Sequence, residues 1–209
     1  MNGESEELAL IEAARRGSVE AFNDLVEMHQ SRAYNLAYRL IGDKHAAADA
    51  TQEAFISAFN HLHSFRGGNF RAWLMQIVAN ATYDEMRKRK RRPTVSADEL
   101  AEERDGEIDF ATNPEDDPEQ IALRHALSDA VQHCLDKLSL EYRTVAVLTD
   151  VQGYDYREAA EIVRTSLGTV KSRLSRARQK LRDCLQGFGE LLPDIYRLKD
   201  QGTTKDDEE

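Results

Sequence analysis

Residues 153–178 read Gly153-Tyr-Asp-Tyr-Arg-Glu-Ala-Ala-Glu-Ile-Val-Arg-Thr-Ser-Leu-Gly-Thr-Val-Lys-Ser-Arg-Leu-Ser-Arg-Ala-Arg178. A short helix is predicted from about Tyr156 to Val163, with Ala159, Ala160, Ile162 and Val163 on one side and Asp155 or Tyr154 near its start. A second helix follows almost at once. Ser166 suits its N-cap, because the hydroxyl can accept from a first-turn N–H, and Val170, Leu174, Ala177 and Leu181 then form one apolar stripe at steps of four, three and four. Its other faces carry one sign of charge: Arg164, Lys171, Arg173, Arg176, Arg178, Lys180 and Arg182, with no acid among them. Two short helices joined by a tight turn, the second cationic outside, describe a helix-turn-helix that lays its second helix in a DNA major groove. A basic amphipathic helix is often only a solvated face. Thr169, Ser172 and Ser175 favour DNA, since short side chains let the backbone approach base edges while arginines reach guanine or phosphate.

The 209 residues suffice for one or two domains, and 41% hydrophobic with 32% charged residues is ordinary for a soluble protein. No run resembles a membrane span or a signal peptide, so a cytoplasmic location is expected. Cys134 and Cys184 have no metal or redox spacing and are expected as two reduced thiols; the six histidines show no zinc pattern. A net charge of −10 looks wrong for a DNA binder until it is located. Between Asp98 and Glu119 stand eleven acids against Arg104 alone, which accounts for the whole imbalance and leaves the remainder neutral with local basic patches.

The first ninety residues show helical periods and no strand pattern. Glu6 to Arg16 is a short helix ending at Gly17, Ser18 caps a second through about His29, and Arg32 to Ile41 makes a third that stops at Gly42. A fourth runs from Asp43 to about Leu62, with Ala50, Ala54, Phe55, Ala58, Phe59 and Leu62 inward and Asp49, Gln52 and Glu53 on an exposed strip. The paired glycines of Ser64-Phe65-Arg66-Gly67-Gly68-Asn69 make a loop. A fifth helix begins near Phe70, with Trp73, Leu74, Ile77, Val78, Ala81 and Met86 inward, and ends in six consecutive bases, Arg87 to Arg92, before Pro93. Aromatic residues and Asn80 beside such a run suit melted or single-stranded DNA, whose phosphates attract the charge and whose unstacked bases need π faces and amides. Trp73 is assigned to the core; Phe65 and Asn80 are assigned to DNA.

Asp49-Ala-Thr-Gln52-Glu53-Ala-Phe55, then Phe65-Arg66-Gly67, then Trp73-Leu74, Ile77, Asn80, Asp84 and Arg87 closely resemble region 2 of the extracytoplasmic function sigma factors, the small group of the sigma-70 family. Gly168-Thr169-Val170-Lys171-Ser172-Arg173-Leu174, with Arg176, Ala177 and Arg178, resembles their region 4. The resemblance implies an all-α chain of two small helical domains joined by a flexible acidic linker: region 2 over 1–93, the linker over 94–119, region 4 over 120–186 and a tail over 187–209. From Pro118, apolar periodicity through Ile121, Leu123, Ala126, Leu127, Ala130, Val131, Leu135 and Leu138 would pack the start of the second domain. The tail is read as either frayed or regulatory.

The resemblance further implies partners and site residues. Asp49, Gln52 and Glu53 would dock on the clamp helices of core RNA polymerase, whose flap is a further contact. Phe65, Arg66, Gly67, Asn69, Phe70, Asn80, Arg87, Lys88 and Arg91 would hold the −10 element, an extruded base being captured by the loop with Asn80. Thr169, Lys171, Ser172, Arg173, Ser175, Arg176 and Arg178 would meet the −35 element, Arg173 and Arg176 at bases or flanking phosphates and Lys171 and Arg178 at phosphate. An anti-sigma factor is a further implied partner; no cofactor, metal, small-molecule substrate or membrane insertion is. The rival reading is a stand-alone helix-turn-helix regulator with an amino-terminal sensor or dimerisation module, which predicts duplex binding without polymerase and a palindromic site. An enzyme is disfavoured, because no acid, histidine or cysteine constellation has catalytic spacing and no glycine-rich phosphate loop is present.

Overall fold

Helices and the turns between them make up the described part of the computed structural model, residues 2–91 and 118–191, with no strand among them. The acidic linker, apart from Pro118 and Glu119, and most of the tail lie outside the described residues, as do Arg92 and Pro93 at the end of the basic run. No helix among the described residues is long and apolar enough to cross a membrane.

The amino-terminal unit holds α1 (Asn2–Arg15), α2 (Val19–Ile41), α3 (Lys44–His61) and α4 (Phe70–Arg91). Ser18 caps α2 by accepting from the Ala21 N–H, and Asp43 caps α3 by accepting from the Ala46 N–H. Where the sequence predicts two helices with a break near residue 30, α2 is continuous over 23 residues. Leu25, His29, Ala33, Leu36 and Leu40 keep one buried stripe through the expected break, and no glycine or proline interrupts it. Gly42 ends α2 at φ 78°, its N–H bonded to the Tyr38 carbonyl. A 3₁₀ turn, Leu62–Ser64, leads from α3 into the loop before α4.

The second unit holds α5 (Pro118–Asp136), α6 (Leu140–Ala146), α7 (Tyr156–Ile162) and α8 (Leu167–Leu185). A π turn, Val147–Val151, follows α6 directly. Asp155, one of two candidates for the start of α7, caps it in a reciprocal box with Glu158. Ser166 caps α8 as expected, its Oγ accepting from the Thr169 N–H at 3.1 Å. Val170, Leu174 and Ala177 are buried against α6 and α7. Leu123, expected inward, is exposed. Cys134 and Cys184, expected as free thiols, are joined in a disulfide with Cα atoms 5.7 Å apart. The packing of α5 against the end of α8 brings together two positions 50 residues apart, which no sequence spacing announces.

The two units share one contiguous apolar cluster, yet much of their contact is polar. Buried Arg39 donates to the Ser128 carbonyl, the Ser128 hydroxyl and Gln132 Oε1. Buried Arg143 donates to the Leu40 and Asp136 carbonyls and to the Asp136 carboxylate. Burial pulls the pKa of both guanidinium groups down, so each charge is tolerated only because acceptors ring it. From the cap of α4 onward, Asn69, Gln76 and Tyr83 stand seven apart and meet the second unit at Glu158, the Glu161 carbonyl and Thr144.

Candidate nucleic-acid interface

With Val170, Leu174 and Ala177 turned inward, the helical period turns Ser172, Ser175, Arg176 and Gln179 outward on α8. Several cations on and beside that face are held. Arg173 pairs with Glu141 at 3.1 Å, Arg176 donates to the Tyr142 hydroxyl at 3.3 Å, and the Lys180 ammonium lies 5.4 Å from the Tyr142 ring centre. On the opposite flank Lys171, Ser175, Arg178, Gln179 and Arg182 surround a cleft of about 300 Å³ whose floor includes Tyr156 and Leu174. Arg178 donates to both oxygens of Asp150, which raises its pKa. Thr169 is half-buried with its hydroxyl 2.8 Å from that of Ser166, so it completes the cap. Gln179 is absent from the predicted set. Its signal is the spacing 172, 175, 179, one turn beyond the serines on the same face.

On the first unit, α3 and α4 enclose a groove of about 960 Å³. It gathers Asp49, Gln52 and Glu53 from α3 with Asn80, Arg87, Lys88 and Arg91 from α4, two predicted sets that the sequence keeps thirty residues apart. Asp84 pairs with Arg87 and Glu85 with Lys88, so the acids of α4 fix cations at its rim. Arg89 turns away to Asp43, at 2.8 Å, and that hydrogen bond raises its pKa. A second groove of about 720 Å³ between α2 and α3 is lined by Phe22, Val26, Tyr34, Phe55, Ile56 and Phe59, with Gln52 at its edge. Phe59, expected inward, is 41% exposed there.

The loop before α4 differs from expectation. Phe65 and Phe70 are 5% and 3% exposed and pack with Trp73 at ring-centre distances of 5.3 to 5.5 Å. The expectation that both face DNA is therefore corrected: both rings are buried with Trp73, close to buried Leu62 at the start of the loop, and anchor it. Arg66, Gly67 and Gly68 form the exposed tip, the glycines at φ 91° and 93°. Asn69 caps α4 by accepting from the Ala72 N–H and donates to Glu158 at 2.6 Å, so its side chain is already engaged. Asn80 is exposed.

The two units match known families in chain order. The family model of Sigma-70 region 2 matches residues 25–92, and that of Sigma-70 region 4 matches residues 128–181. The chain is 38% identical over 172 residues to the ECF RNA polymerase sigma factor SigE of Mycolicibacterium smegmatis, across 81% of this chain and 63% of that protein. It is 35% identical over 179 residues to the ECF RNA polymerase sigma factor SigW of Bacillus subtilis, across 84% of this chain and 95% of that one. The fold is similar to that of the sigma factor RpoE of Bartonella quintana, solved in complex with the anti-sigma factor NepR, with a TM-score of 0.59 and 26% identity over 80% of this chain and 98% of that one. With both regions matched and a relative covered nearly end to end, the chain belongs to the extracytoplasmic function sigma factors of the sigma-70 family.

Proposed function

We propose that this protein is a dissociable initiation subunit of bacterial RNA polymerase that directs the enzyme to a restricted set of promoters and performs no catalysis itself. One observation carries the reading: the α3/α4 groove, where an acidic and amide strip meets a cationic helix end, lies on a different unit from the cationic face of α8. A protein that must hold polymerase and two promoter elements needs such separated surfaces. Asp49, Gln52 and Glu53 present acceptors and an amide to a basic partner helix, and the adjoining groove at Phe55, Ile56 and Phe59 receives that helix's apolar side chains. Asn80 and the exposed Arg66 to Gly68 tip approach an unstacked base of the −10 element, while Arg87, Lys88 and Arg91 take its phosphates. Ser172, Ser175 and Arg176 enter the major groove of the −35 element. The acidic segment over 94–119 tethers the two units and keeps each at high effective concentration for the other's element. Cytoplasmic residence fits this role, and regulation by an anti-sigma factor is proposed from the solved complex of the relative.

The test is reconstitution. Added to core polymerase, the purified chain is expected to co-elute with it and to give transcripts from few promoters. Failure to bind core, with duplex binding retained on a palindromic site, would leave the stand-alone regulator instead.

A further inference from the structure

Asp150 stands out because it is an acid on a surface that must meet DNA. The chain leaves the α-helical ladder there: in the π turn Val147–Val151 the Gln152 N–H bonds back to the Val147 carbonyl. A π turn inserts one residue into the register and changes the direction of the side chains it holds. Here the Asp150 carboxylate meets Arg178 of α8, Oδ2 accepting from Nε at 3.0 Å and Oδ1 from Nη2 at 2.6 Å. Such two-point pairing removes most of the rotational freedom of a long side chain, and the Tyr156 hydroxyl is a further hydrogen-bonding neighbour of the guanidinium. Arg178 stays half exposed, at the edge of the cleft that also holds Lys171, Arg182, Ser175 and Gln179. Three cations and the Ser175 hydroxyl around an open cleft beside a groove-binding helix suit a backbone phosphate, while Gln179 Nε2 donates to Asp183 at 2.8 Å.

We propose that Asp150 is a positioning residue that holds Arg178 as a phosphate donor at the edge of the recognition helix. The assignment rests on the reading of α8 as the DNA-binding helix. It makes a prediction opposite in sign to simple electrostatics. Removing a carboxylate near DNA ordinarily tightens binding by relieving repulsion, whereas freeing Arg178 from its clamp weakens binding because the guanidinium must then be ordered by the phosphate itself.

The experiment measures equilibrium binding of the full chain to random-sequence duplex, and of its complex with core polymerase to a promoter mapped with the unaltered protein, across a salt series. Asp150→Ala is expected to weaken both about threefold to tenfold, and Arg178→Ala about tenfold, the scale of one charge-assisted hydrogen bond. Arg178→Ala is expected to make the salt dependence shallower by about 0.9, the value of one phosphate, and Asp150→Ala to leave it unchanged, because the unclamped cation still reaches its phosphate. In the Arg178→Ala background Asp150→Ala has no further cost, and Asp150→Glu restores binding. Tighter or unchanged binding by Asp150→Ala overturns the proposal, as does a loss confined to one base pair, which would place Arg178 on a base. If the unaltered chain does not join polymerase the proposed function falls, and the random-duplex series still decides the role of Asp150.

Discussion

His29 shows how a single residue reports its surroundings. Its ring is buried beside Phe70, with Nε2 2.7 Å from Glu7 of α1 and Nδ1 without a partner. Burial lowers its pKa, Glu7 opposes that shift, and Arg32 and Arg71 add to it. The folded protein therefore resists the proton that the unfolded chain accepts. Stability is complete above the unfolded histidine pKa of about 6.5 and falls as pH drops below it toward the folded value. Thermal unfolding between pH 8 and pH 5 is expected to show this decline, and His29→Gln is expected to flatten it; an unchanged slope would assign the decline to other groups. Burial of the Tyr154 hydroxyl, which also lacks a partner, pushes its pKa up to about 12 even though Arg71 sits 4.6 Å from the ring centre. Glu7 and Phe70 at His29, and Arg71 at Tyr154, come from other helices, so the sequence beside either residue does not announce its burial.

At the scale of elements, the helix-turn-helix was the most legible part of the chain. Ser166, the stripe of Val170, Leu174 and Ala177, and the inward Ala159, Ala160 and Ile162 all stand where local rules place them, since caps and amphipathic faces depend on residues within one or two turns. The Ser166 cap gives a test of the link from element to function. Ser166→Ala is expected to cost about 1 kcal/mol in denaturant unfolding. Ser166→Asp is expected to restore most of that stability while weakening duplex binding, because it keeps the cap acceptor but adds a negative charge beside DNA. Binding that follows stability alone in both variants would separate this turn from the DNA. Local rules failed at α2, where the expected break near residue 30 is absent because a stripe facing α3 and α4 runs through it. They failed again at Phe65 and Phe70: an aromatic residue in a glycine-rich loop reads equally as a base platform or as an anchor, and only the packing against Trp73 distinguishes them.

For the whole molecule, the cross-link and the contact between units are features of the folded chain alone. The Cys134–Cys184 disulfide closes a loop of about 50 residues and is expected to contribute about 2 to 4 kcal/mol, mainly by restricting the unfolded state. Denatured, unreduced protein is expected to show no reactive thiol and reduced protein two, with a lower unfolding midpoint after reduction; two thiols before reduction would contradict the link. The sequence by itself determined the helical class, the cationic recognition helix, the acidic segment that carries the net charge, and the family resemblance, because each is written in periodicity, composition or short motifs. Tertiary structure decided that Asp49, Gln52 and Glu53 share a groove with Asn80 and Arg87, that Phe59 opens onto a second groove, and that Asn69 is taken up by Glu158. It also decided that Asp150 clamps Arg178, 28 residues away. Contacts of that kind join faces of different helices, and the angle at which two helices pack is fixed by the whole set of buried side chains between them, not by any local pattern.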